Sequence, residues 1–96
     1  MKKLKYLLLL ILIFVFTDAN AELNNFEKGK NFFDKKEYDL AKFKFEQDIV
    51  FNPKNESSYL YLAKIYNLKN NDNREEKNLN TVILLNPKNE EAILNL

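Results

Sequence analysis

Residues 49–59 read IVFNPKNESSY, and the chain changes character at Pro53. Upstream of it, Tyr38, Ala41, Phe45 and Ile49 fall at i, i+3, i+7 and i+11, which lines one face of a helix with apolar groups. Proline offers no amide hydrogen, and its ring drives Asn52 out of the helical region, so that helix ends before residue 53. Asn55 can then cap a new helix, its side-chain oxygen accepting from an otherwise unpaired backbone amide. The letters NPKNE (52–56) therefore spell a helix stop followed at once by a helix start. They return at 86–90, with Pro53 and Pro87 separated by 34 positions.

A shift of 34 also pairs Lys30 with Lys64, Phe32 with Tyr66, Gly29 with Ala63, Phe45 with Leu79, Ile49 with Ile83 and Phe51 with Leu85. A fixed period of this length marks stacked supersecondary units. Each unit reads as two helices joined by a turn. In the first, Leu23, Phe26, Gly29 and Phe33, with Phe32 alongside, form one helical face. The polar run DKKE (34–37) turns the chain, and the Tyr38 series makes the second helix. In the second unit the faces are Tyr59, Leu62, Ala63 and Tyr66, then Leu79, Val82 and Ile83, with KNND (69–72) between them. The predicted organisation is one repeat over 22–55, a second over 56–89, and a partial third helix over 90–96 that starts a third unit or caps the second. Ile93 and Leu96 fall on its apolar positions.

In period and in these positions the chain resembles the tetratricopeptide repeat (TPR) family. The family's small residue in the first helix is matched by Gly29 and Ala63, and its aromatic three residues later by Phe32 and Tyr66. Its tyrosine, alanine and bulky apolar residue in the second helix are matched by Tyr38, Ala41 and Phe45, and its closing proline by Pro53 and Pro87. The resemblance covers 22–96 and implies an all-α, right-handed α-α superhelix of two repeats plus a partial third helix. Gly29, the only glycine, costs about 1 kcal/mol against alanine mid-helix, and close helix packing there would offset it. Two departures stand out. Unit one has Asn25 and Lys28 where the family carries a large aromatic and a leucine. Unit two has Asp72 and Glu75 where tyrosine and alanine are usual, so its second helix is expected to start late or pack loosely.

The amino terminus reads separately. Lys2, Lys3 and Lys5 precede an uncharged run of eleven residues, YLLLLILIFVF (6–16), and then TDANA, with Ala19 and Ala21 in the small–x–small spacing of a cleavage site. These are the three regions of a secretory signal peptide, here 1–21 with cleavage after Ala21. The run falls short of the roughly 20 residues that span a bilayer. An uncleaved anchor is the other reading. The expected location is therefore the periplasm or the secreted space. Without Lys2, Lys3, Lys5 and Asp18 the chain carries 12 basic and 13 acidic residues, a near-neutral balance that gives no electrostatic case for nucleic acid or an anionic membrane. The absence of cysteine excludes a disulfide framework and a lipid-bearing cysteine.

Little chemistry is encoded. There is no histidine or cysteine, so the commonest general base, the thiolate nucleophile and the usual zinc ligands are missing. Ser57 and Ser58 lie at a predicted helix start without a base beside them. Glu75–Glu76 and Glu90–Glu91 fall in first turns, where acids complement the helix dipole. No glycine-rich phosphate loop and no calcium loop is present. The expectation is a non-enzyme with no catalytic, cofactor-binding or metal-ligating residues.

By analogy with the family, a partner peptide or helix would lie on the concave face, which the first helix of each pair lines. The expected groove residues are Phe26, Lys30, Phe33 and Asp34 from unit one, and Leu60, Lys64, Asn67 and Leu68 from unit two. Lys30 and Lys64 would place two cations one repeat apart among apolar neighbours. Phe26 has a second reading, turning inward to replace the aromatic missing at Asn25, and Phe33 and Leu68 a second reading as turn covers. Tyr61 and Phe43 fall off the main stripes. The expected function is an exported protein–protein interaction module holding part of an envelope protein. The alternatives are a self-associating fragment that completes a longer helical-repeat assembly and a membrane-anchored tether.

Overall fold

A computed structural model describes residues 24–96. The signal peptide expected over 1–21, its cleavage after Ala21 and the place of Leu23 on the first helix lie outside the described residues. The described residues form five helices: α1 (Asn25–Asp34), α2 (Tyr38–Phe51), α3 (Glu56–Leu68), α4 (Asp72–Leu85) and α5 (Glu90–Asn95). Among the described residues there is no strand, and the protein is all-α.

Two kinds of connection alternate, and each is built the same way twice. The α1–α2 and α3–α4 turns pass through a left-handed residue, Lys36 at φ 63° and Asn70 at φ 57°. In the first turn the Glu37 and Lys36 amides donate to the Phe32 and Phe33 carbonyls. In the second the Asn71 and Asn70 amides donate to those of Tyr66 and Asn67. Both satisfy orphan helix-end carbonyls through the pair of hydrogen bonds that closes a helix on a left-handed residue. The proline corners also match. The Asn52 amide donates to Asp48 O and the Asn86 amide to Val82 O, each at 2.7 Å. An asparagine side chain then caps the next helix in both cases: Asn55 accepts from the Ser57 amide and Asn89 from the Ala92 amide. The helix stop and helix start read from NPKNE are both present.

Of the two expectations for α4, a late start or loose packing, the late start is corrected. The helix begins at Asp72, with the Asn71 side chain accepting from the Arg74 amide at 3.2 Å. Asp72 and Glu75 lie in its first turn, where the amide ends of the helix favour negative charge. Its inner face, Leu79 and Val82, is buried.

From α1 to α4, consecutive helices run antiparallel, as contacts between them at both ends show. Phe26, near the start of α1, meets Phe45 of α2 at a centroid distance of 5.9 Å, while Phe33, near its end, meets Tyr38 at 5.4 Å. Between α2 and α3, Ser58 reaches Asp48 at one end and Lys69 reaches Asp39 at the other. Between α3 and α4, Glu56 accepts from the Asn86 amide group and Asn67 donates to Glu75.

The core has two clusters that share α3. Ala41, Phe45, Leu62, Ile65 and Tyr66 form one, with Phe26, Phe32, Phe33, Tyr38, Ile49 and Tyr61 packed against it. Ala63, Leu79, Val82 and Ala92 form the other, flanked by Tyr59, Leu60 and Ile83. Leu62 and Ala63 are neighbours in sequence yet belong to different clusters, because α3 is covered on both sides. Gly29 has a packing role in the first cluster. A β-carbon there would stand 2.7 Å from the Phe45 ring, inside van der Waals contact, so the phenyl ring occupies the space a larger residue would need.

Candidate functional site

A concavity of about 400 Å³ opens between the end of α1, the exposed face of α3, the start of α4 and α5. Phe33, Leu60, Lys64, Asn67 and Leu68 line it, five of the residues expected from the sequence. Tyr38, Ala63, Glu75, Leu79, Glu91 and Asn95 complete its wall. The remaining three expected residues stand elsewhere. Phe26 faces inward, its ring 5.9 Å from Phe45 and 6.1 Å from Tyr61. Lys30 lies with its ammonium 5.7 Å from the Phe26 ring centroid, a cation–π arrangement on the outside of α1. Asp34 is exposed at the end of α1.

The floor is apolar for a reason local to each helix. Leu60, Ala63, Lys64 and Asn67 recur at three- and four-residue spacing, so α3 presents them on one side. Phe33 reaches the rim from the last turn of α1 while its ring stays in the aromatic cluster, edge-on to Tyr38 and to Tyr61 at 5.1 Å. Tyr61 in turn stacks flat on Phe45 at 4.9 Å and 10°. Its place off the apolar stripe of α3 is explained: it is the hub of the first cluster. Phe43 remains exposed, and no contact in the fold explains it beyond the Lys44 ammonium over its ring.

The polar wall is arranged in two pairs. Lys64 Nζ lies 2.8 Å from Glu91 Oε1, so its charge is matched within the wall. The Asn67 side-chain amide donates to both carboxylate oxygens of Glu75, each at 3.2 Å, which orients that carboxylate without neutralising it. The ion pairs found among the described residues are Lys42–Glu46, Lys64–Glu91 and Lys69–Asp39, so Glu75 belongs to none of them. A second depression of about 210 Å³ continues the first, sharing Glu75, Leu79 and Asn95 and adding Asp72, Glu76 and Leu96.

The α4 and α5 walls were missed by sequence reasoning because the groove was assigned to the first helices of units one and two alone. One signal was present: Asp72 and Glu75 depart from the repeat pattern, and Glu75 lines the cavity while Asp72 lines the adjoining depression. Ser57 and Ser58 serve the corner. The Ser57 amide binds the cap and Ser58 Oγ donates to Asp48 at 2.6 Å. Among the described residues no group of three acidic or other metal-binding side chains converges, and no helix is long and apolar enough to cross a membrane. No family model matches the chain, and no curated protein matches it either.

Proposed function

We propose that this chain is an exported, TPR-like interaction module that holds a peptide or helix of an envelope protein against the α3 concavity. The observation that carries the reading is that cavity. Phe33, Leu60, Leu68 and Leu79 give it an apolar floor, and paired polar groups rim it, the usual composition of a site that grips a side-chain-sized group. Support for a helical-repeat architecture comes from the 34-residue recurrence of both kinds of turn and of the Asn caps. Export rests on residues 1–21, and amino-terminal sequencing of the protein recovered from outside the cytoplasm tests it. An intact Met1 on a membrane-bound chain would favour the tether instead.

Photo-crosslinking in living cells tests the groove. A photoreactive residue at Leu68 is expected to give a discrete protein adduct, while the same residue at Asn80, exposed on α4, gives none. Equal labelling from both positions would remove the groove reading.

One observation favours self-association as a second reading. Ile93, Leu94 and Leu96 are 51%, 83% and 59% exposed. Light scattering on the purified protein separates the two, since a monomer at high concentration excludes a self-associating fragment.

A further inference from the structure

The cavity sits at one of the places where the two repeats differ. In unit one the seam between the first and second helix is closed by Tyr38, edge-on to Phe33, and by Ala41, which has no exposed surface. Thirty-four residues on, these positions are Asp72 and Glu75, and the position of Phe33 is Asn67. An aromatic lock has become an amide–carboxylate pair, and an open concavity stands beside it. The substitution changes both shape and charge. Lys64, the only cation on the wall, is matched by Glu91. The uncompensated charge on the wall is therefore that of Glu75, and the adjoining depression adds Asp72 and Glu76.

We propose that the concavity is selective for a cationic peptide: a lysine or arginine side chain whose aliphatic stem lies on Leu60, Leu68 and Leu79 and whose head reaches Glu75. The proposal rests on the groove reading and adds the sign of the charge, which Glu75 sets and not Lys30 or Lys64. Charge complementarity decides the occupant. An acidic segment would meet Glu75 without an available cation, and like charges brought together at an interface are disfavoured. A basic side chain has an apolar body and a charged tip, which matches an apolar floor ending in a carboxylate. Two joined depressions suit an extended segment rather than one isolated side chain.

The test uses the protein expressed from its full 96-residue sequence and purified as the host processes it. Three dye-labelled 14-residue peptides, alternating leucine with lysine, glutamine or glutamate, are titrated by fluorescence anisotropy. The Leu/Lys peptide is expected to bind about tenfold tighter than the Leu/Gln peptide, with the Leu/Glu peptide weakest. Glu75→Gln keeps the side-chain shape and is expected to erase most of that preference. Glu27→Gln, the same charge change on α1, leaves it intact. Leu68→Ser is expected to weaken all three peptides together. If Leu/Gln or Leu/Glu binds as well as Leu/Lys, the cationic assignment is overturned while the groove survives. Equal losses from Glu75→Gln and Glu27→Gln would mean attraction to net charge alone, and the assignment falls. If no peptide binds, the groove reading fails with it. Circular dichroism of each variant checks that the helices remain.

Discussion

Ser58 Oγ donates to Asp48 Oδ2 at 2.6 Å, and neither residue is more than 2% exposed. Asn52 and Asn55 donate their side-chain amides to the same carboxylate at 2.9 and 2.8 Å. Thirty-four residues further on, the two positions are Val82 and Ala92, both fully buried. One corner of the protein is thus locked by a satisfied polar knot and its counterpart by apolar packing. The exchange is paired: where the carboxylate goes, its hydroxyl partner goes with it. Burying either polar group alone would leave it without a partner, which the low-dielectric interior penalises.

The two halves of that knot should be coupled in stability. Ser58→Ala is expected to destabilise by about 1–3 kcal/mol, since one donor to a buried carboxylate is lost. The double change Asp48→Val/Ser58→Ala, which copies the second corner, is expected to cost less than the sum of the two single changes. Urea denaturation followed by helical circular dichroism measures all four proteins. Strict additivity would show that the two side chains do not act together.

Gly29 and Phe45 form a second exchanged pair, with Ala63 and Leu79 at the matching positions. Glycine to alanine normally stabilises a helix interior by up to about 1 kcal/mol. Here a β-carbon would meet the Phe45 ring at 2.7 Å, so Gly29→Ala is expected to destabilise by about 1–3 kcal/mol through overpacking. Adding Phe45→Leu makes room for the methyl group. The double variant should therefore lose less than the two single losses combined, by about 0.5–3 kcal/mol in the same urea titration. A stabilising Gly29→Ala would mean that the ring moves aside at no cost.

Lys36 and Asn70 turn the chain at equivalent points, both at left-handed φ. A residue with a β-carbon is disfavoured there, and asparagine tolerates it better than lysine. Lys36→Asn is expected to raise stability by about 0.5–1 kcal/mol, and Asn70→Lys to lower it by a similar amount. Thermal melts of the two variants test the symmetry of the turns.

Lys69, at the C-terminal cap of α3, donates to Asp39 of α2. That hydrogen bond, then the charges of Lys69 and Lys42, hold the Asp39 carboxyl below its ordinary value of 3.8. A depressed carboxylate stabilises the fold above the unfolded-state value, and the contribution disappears as pH falls through the folded value. Asp39 is fully exposed, so the effect is small and screened by salt. At about pH 7 the wild type should melt slightly above Asp39→Asn, with the gap narrowing in about 0.5 M NaCl and closing at a pH below the folded value. A gap that is the same at both pH values would trace to packing and not to charge.

Helix boundaries were the most legible part of this fold. Pro53, Asn55, Pro87 and Asn89 act through bonds inside a single turn, so their local sequence suffices to place a stop and a start. Apolar faces were legible where the buried residues form a single stripe, as with Ala41 and Phe45 in α2. They were less so in α3, which is covered on both sides. A single stripe predicts one buried face, and so Tyr61 looked misplaced although it stacks on Phe45. The candidate site was readable in its α3 residues, Leu60, Lys64, Asn67 and Leu68. Glu75 could be seen only as a break in the pattern.

Spacing and chemistry along the chain were enough for the all-helical class, the turns and the corners, because each depends on groups a few residues apart. Which charges are matched, and where space is left open, came from the folded arrangement alone. Lys64 finds Glu91, Asp39 finds Lys69, and Asn67 finds Glu75 across turns or whole helices. A cavity is volume that several helices together fail to fill. Its existence, and the sign of charge on its wall, are therefore properties of their packing and not of any one segment.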